Sequence, residues 1–108
     1  MDDITFIYTI CSDEQEGKKI AKKLLQKKLC ACVNIIPLVH SYFTWPENSD
    51  KIEEVDETIV LIKTSKDKFE EVQKEILKIH SYELPCIMAL DVNQVEDAYY
   101  KWVKRQIS

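Results

Sequence analysis

The chain has 108 residues, a formal net charge of −4 and 45% hydrophobic residues, enough to fill one core and too few for two. That apolar share excludes disorder of the whole chain, and no apolar run approaches the ~20 residues that cross a bilayer. The 15 basic residues lie mostly on prospective helix faces without interleaved aromatics, which speaks against nucleic acid as a partner.

The chain opens Met1-Asp2-Asp3-Ile4, acidic and leading at once into a strand pattern. With no basic n-region it reads as lacking a signal peptide, so the expected location is cytoplasmic, away from any membrane. The four cysteines, Cys11, Cys30, Cys32 and Cys86, are then expected as free thiols, because a chain with its own core and no export signal needs no staples.

Residues 4–10 are β-branched and aromatic and predict a buried strand. Ser12 and Gln15 have the spacing of a capping box, and Asp13 and Glu14 suit the positive end of a helix dipole. Ile20, Ala21, Leu24, Leu25 and Leu29 then form one apolar stripe, predicting an amphipathic helix over residues 13–29. Residues 30–45 read as a long second strand, interrupted at Pro37, which cannot donate to a ladder. The turn chemistry of residues 46–50 returns the chain into a third strand over residues 51–63.

Thr64 and Ser65 are expected to open a second helix whose stripe is Phe69, Val72, Ile76 and Ile79. A fourth strand over residues 86–92 follows Pro85. Asn93 and Glu96 have capping-box spacing ahead of a last helix with Ala98, Tyr99, Trp102 and Val103 on its buried side.

This order is β-α-β-β-α-β with a terminal helix: one α+β domain over residues 1–108 on the ferredoxin-like split βαββαβ plan, with a long β-hairpin and a C-terminal helix. Such a plan covers one face of its sheet and leaves the other bare. A hairpin of this length also overhangs the helices and strands Tyr42, Phe43 and Trp45 in solvent. Exposed edges and apolar faces of that kind are usually paired or buried, so self-association about a symmetry axis is expected. The competing expectation is that the last helix folds back over the bare face.

Four ordered blocks now become specific. Ala31-Cys32-Val33-Asn34-Ile35-Ile36-Pro37, Ser41-Tyr42-Phe43-Thr44-Trp45, Lys51-Ile52-Glu53-Glu54 and Ile59-Val60-Leu61-Ile62-Lys63-Thr64 resemble the signature of the CutA divalent-ion tolerance proteins. Ser12-Asp13-Glu14, Tyr82, Pro85 and Tyr99-Tyr100-Lys101-Trp102 extend the likeness over nearly the whole chain. The resemblance implies a cytoplasmic homotrimer linked to tolerance of copper and other divalent metals, with an unidentified protein partner a further option, since animal relatives are associated with membrane-protein assembly. It also implies copper ligands, and here this chain departs. Thr9 stands where the family pattern has a Cys, Ile79 where it has the first His of a pair, and Leu38 where a Gly follows the hairpin Pro. Cys86 replaces a Glu, and only His80 remains of the suggested ligands.

The candidate metal residues are accordingly Cys11, His80 and Cys86. The ends of the first and fourth strands are expected to lie together, and a helix N-terminus beside Cys11 would favour its thiolate. With His80 the three would form a soft site suited to Cu(I) or zinc. The alternative is two small buried side chains and a histidine at a helix end. Cys30 and Cys32, at C-x-C spacing, lack zinc-site spacing and read as strand positions on one face. His40 is placed at an interface between copies, and the acidic run Glu53, Glu54, Asp56 and Glu57 reads as a cation-attracting or salt-bridging edge.

With a single glycine, Gly17, there is no phosphate-cradling loop, and no nucleophile elbow is present. No enzymatic activity and no required cofactor are expected. The rivals to a metal-response protein are a trimeric small-molecule sensor like the PII proteins, which share this plan, and a structural anchoring module. The short turn at residues 46–50 counts against the first.

Overall fold

In the computed structural model, which describes residues 3–108, the order of elements is β1 (Ile4–Cys11), α1 (Glu14–Gln26), β2 (Cys32–Thr44), β3 (Ile52–Ser65), a 3-10 turn (Lys66–Lys68), α2 (Phe69–Ile79), β4 (Ile87–Asp91) and α3 (Asp97–Gln106). Met1 and Asp2, on which the acidic reading of the chain start partly rests, lie outside the described residues. The fold is mixed α+β, with one antiparallel sheet in the order β2-β3-β1-β4.

Alternation decides which side of the sheet is core. Thr5, Ile7, Thr9 and Cys11 of β1 share a face with Val60, Ile62 and Thr64 of β3, and all seven are buried. Against that face α1 lays Ile20 and Leu24 and α2 lays Val72 and Ile76, all 0% exposed. Gly17 permits the approach: a Cβ there would stand 3.3 Å from Val60 Cγ2 and 3.6 Å from Cys11 Sγ.

The two longest strands make a hairpin that outruns the helices. The radius of gyration, 14.9 Å, exceeds the ~13 Å expected of a compact chain of this length, and the molecule measures 47 × 27 × 23 Å. Between Ile36 and Val39 the register with β3 shifts by one residue on β2, a bulge at which Leu38 takes φ 61°. Pro37 therefore marks a bulge, as its missing donor requires. The hairpin closes over a turn in which Ser49 N–H donates to the Pro46 carbonyl, with Asn48 at φ 64° and a cis bond between Trp45 and Pro46.

Several boundaries differ from the sequence expectation for local reasons. Asp13, not Ser12, caps α1, its carboxylate accepting from Glu16 N–H at 2.9 Å. The helix ends at Gln26, and Leu29 reaches the core from the coil beyond it, while Leu25 is 45% exposed. Thr64 and Ser65 finish β3 because the Thr64 hydroxyl is committed to the Leu29 carbonyl at 2.7 Å, and α2 starts only at Phe69. Glu96 is itself the cap of α3, accepting from Tyr99 N–H at 3.0 Å.

α3 covers only one end of the bare face of the sheet, at Ile4 and Lys63. It buries Val103 against Ile4 and Ala31, with Tyr100 and Trp102 packed around them, and Lys104 reaches the Asp3 carboxylate at 2.7 Å. Ala98 and Tyr99, expected inside, are exposed. Met88 and Leu90 remain 53% and 50% exposed.

Candidate functional site

Four segments meet beyond the end of β1: the β1–α1 junction, the first turn of α1, β3 near Glu57, and the connection from α2 to β4. His80 is their hub. Its backbone N–H closes α2 on the Ile76 carbonyl at 2.8 Å, and its ring turns inward to full burial. A carbonyl can only accept, so Nε2, 2.8 Å from Ile10 O, carries the proton. An amide N–H can only donate, so Nδ1, 3.1 Å from Tyr82 N, is bare and accepts. The hydrogen bonds thus fix one neutral tautomer and use both ring nitrogens. The Tyr82 ring packs on it with centroids 4.9 Å apart.

Two carboxylates flank this pair. Glu16 accepts from Ser12 N–H at 3.0 Å and from the Ser12 hydroxyl at 2.8 Å. It also accepts from Ser81 N–H at 2.6 Å, tying the start of α1 to the residue after His80. Burial pushes its carboxyl upward, but the donors of Ser12 and Ser81 outweigh that and hold it below the ordinary glutamate range. Glu57, 8% exposed, accepts from the Tyr82 hydroxyl at 2.6 Å. Burial first, then this hydrogen bond and the Glu57 charge, raise the Tyr82 phenol well above its usual range.

Of the residues singled out for metal, Cys11 is fully buried, and its thiol donates to the Asp13 carbonyl at 3.4 Å. Burial, then the Glu16 charge, push it up to about 11. The expected dipole-favoured thiolate is therefore corrected: the loss of solvent outweighs the helix end. Cys86 is half-buried, its thiol raised by burial and then by Glu57. Continuing the β1–β4 register one pair beyond Thr9↔Ile87 sets Cys86 across from Ile10. That position belongs to the bare face, whereas Cys11 belongs to the helix face. The segment ends come together as expected, but the β1–β4 register, continued, sets the two cysteines on opposite faces. Among the described residues no three His, Cys, Asp or Glu side chains are gathered to hold an ion. The residues present do not fit a preformed metal centre.

The remaining candidates disperse. Cys30 lies just before β2, buried and pushed up to about 12 by burial and then by Cys32, so the two do not share a strand. All four thiols are free. His40 Nδ1 sits 2.5 Å from Asp56 Oδ1 on the exposed hairpin. The acidic run splits by alternation: Glu54 takes the Tyr42 hydroxyl at 2.6 Å and Asp56 faces His40, while Glu53 pairs with Lys51 and Glu57 with Tyr82. The chain order did not single out Glu16, Ser81 or the link between Glu57 and Tyr82. Only the spacing of Ser12 and Glu16 hints at them.

Comparison with known proteins gives a consistent result. The family model described as "CutA1 divalent ion tolerance protein" matches residues 5–106. The divalent-cation tolerance protein CutA of Archaeoglobus fulgidus is 39% identical over 102 residues, spanning 94% of this chain and 96% of its own. Its solved structure, described as that of a periplasmic divalent cation tolerance protein, superposes with a TM-score of 0.91 at 38% identity over 97% of this chain and 99% of that one. The crystal structure of CutA1 from Ehrlichia chaffeensis superposes with a TM-score of 0.92 at 29% identity, covering 100% and 98% of the two chains.

Proposed function

The chain belongs to the CutA1 divalent ion tolerance family, and on that premise we propose that it works as a cytoplasmic homotrimer in tolerance of copper and other divalent metals, without a catalytic centre. The observation that carries the assembly is the bare face of the sheet. On its ferredoxin-like plan α1 and α2 occupy one side only, and the other presents Ile36, Met88 and Leu90 at 42%, 53% and 50% exposure. The outer hairpin adds Phe43 and Val55 on the same face at 44% and 37%. Apolar surface so continuous is characteristic of an interface, and three like faces around one axis would close on themselves. Sedimentation should give about three times the 12.7 kDa subunit mass; a monomer at micromolar concentration overturns the assembly.

Direct metal binding is proposed at Cys11, His80 and Cys86, for a soft ion such as Cu(I) and not a hard divalent one, because thiolates select it. The geometry sets conditions on that binding. Cys11 must release the Asp13 carbonyl and its proton, and His80 must give up either Ile10 or Tyr82. The resting fold therefore supports tolerance through the assembled protein more directly than through a ready-made ion site. Anaerobic Cu(I) competition titration of the native protein, Cys11→Ser and Cys86→Ser decides it: equal affinities in all three remove these ligands. No helix among the described residues is long and apolar enough to cross a membrane.

A further inference from the structure

Along residues 57–63 of β3 the uncovered face of the sheet carries charge at two places. β3 runs regularly through its pairing with β1 and β2, so Glu57, Ile59, Leu61 and Lys63 occupy alternate positions on this one face. Their neighbours there are Phe6, Tyr8 and Ile10 of β1, Met88 and Leu90 of β4, and Asn34 and Ile36 of β2. Glu57 and Lys63 are the charged residues of this stretch, and they have opposite signs.

Neither finds its counter-charge at home. Glu57 is 8% exposed and accepts a hydrogen bond from Tyr82, but among the described residues no lysine, arginine or histidine lies within ion-pair distance. Lys63 is half-buried, its ammonium 5.7 Å from the centre of the Tyr99 ring, and no described carboxylate pairs with it. Six residues along a strand rising about 3.3 Å each put the two roughly 20 Å apart, beyond any contact within one chain. When a second molecule covers this face, Lys63 loses water and Glu57, already buried, is sealed further, and an unpaired buried charge is strongly unfavourable.

We propose that Glu57 of one copy of this chain pairs with Lys63 of the neighbouring copy across the bare sheet face. The proposal rests on the self-association put forward above and adds the residues that set its register. Each copy carries one charge of each sign at the two ends of β3's exposed row. A head-to-tail ring therefore satisfies every Glu57 and every Lys63, and one orientation of the neighbour is selected over the reverse, which would oppose like charges.

The test is a double-mutant cycle on the full chain, read as the dissociation constant of the assembly by sedimentation, with far-UV circular dichroism confirming folding. Glu57→Gln retains an acceptor for Tyr82, and Lys63→Met retains the aliphatic stem. Each single change should weaken assembly about tenfold or more, and the double change should cost little beyond the worse single one, because a pair can be lost only once. The exchanged protein Glu57→Lys with Lys63→Glu should assemble better than either reversal alone. A native protein that is assembled but shows additive effects overturns the ion pair alone. A native protein that is monomeric overturns the assembly and the pair together.

Discussion

The hydroxyl of Tyr82 donates a 2.6 Å hydrogen bond to Oε2 of Glu57, joining the α2–β4 connection to the middle of β3. Hydrogen bonds to buried charged acceptors contribute more than neutral ones, and among the described residues no cation pairs with this carboxylate. Tyr82→Phe should lower stability by about 2 kcal/mol, measured as a fall in the urea midpoint. Ser81→Ala, which removes a hydroxyl but leaves the Ser81 N–H on Glu16 at 2.6 Å, should cost less than half as much.

α1 ends in a Schellman arrangement built on the wrong residue type. Lys28 N–H donates to the Leu25 carbonyl at 3.1 Å and Leu29 N–H to the Leu24 carbonyl at 3.0 Å, with Leu24 and Leu29 both in the core. The left-handed residue this requires is Lys28, at φ 56°, where a Cβ is strained. Lys28→Gly should therefore stabilise the protein by about 0.5–1 kcal/mol. Lys28→Ala serves as control: it removes the charge and keeps the strain, so it should change the midpoint little.

Much of this architecture was legible because local pattern and tertiary fold agree. The spacing of Ile20 and Leu24, and of Val72 and Ile76, announced helices whose stripes are fully buried. The unbroken β-branched run of β1 announced a strand with one face in the core. What could not be read depends on groups far apart in the chain. Ser65 looked like a helix start until β1 pairing through Ile4 held it in β3. Tyr99 looked like a core position on α3 until Tyr100 and Val103 took that side and left it over Lys63. At the candidate site, sequence named Cys11, His80 and Cys86 and brought their segments together. By the continued β1–β4 register the two cysteines still part, because adjacent positions on a strand point to opposite faces, and Cys86 falls across from Ile10, one residue from Cys11.

Thr9 carries a strain of a different kind. It is 0% exposed on the helix side of β1, and its hydroxyl has no hydrogen-bond partner among the described residues. A buried donor left unsatisfied is unfavourable by about 1–3 kcal/mol, and valine has nearly the same shape. Thr9→Val should raise the urea midpoint by the equivalent of about 1–2 kcal/mol with an unchanged slope. Thr9→Ser, which keeps the hydroxyl and deletes the methyl, should lower it.

Alkaline sensitivity should begin with the two sealed thiols, ahead of the Tyr82 phenol, which is also raised. An unfolded cysteine ionises near its ordinary value of 9.0, whereas in the fold burial raises Cys11 to about 11 and Cys30 to about 12. A group whose folded value lies above its unfolded one stabilises fully below the unfolded value, and that contribution is lost as pH rises toward the folded one. Between pH 9 and 11 the unfolded chain sheds protons that the native protein still holds at Cys11, so unfolding is favoured across that interval; for Cys30 the interval extends to about 12. Melting temperature should accordingly be flat from about pH 7 to 8.5 and fall above pH 9. Cys11→Ala will lower the plateau by deleting a packed side chain, yet its decline above pH 9 should be shallower than that of the native protein. Thiol labelling gives the independent check. Cys11 and Cys30 should resist an aromatic disulfide reagent at pH 8 until denaturant is added, since a buried protonated thiol is neither reachable nor nucleophilic. Rapid labelling of Cys11 in the native protein, together with equal alkaline slopes for the two proteins, would show that its thiol is not sealed in the fold.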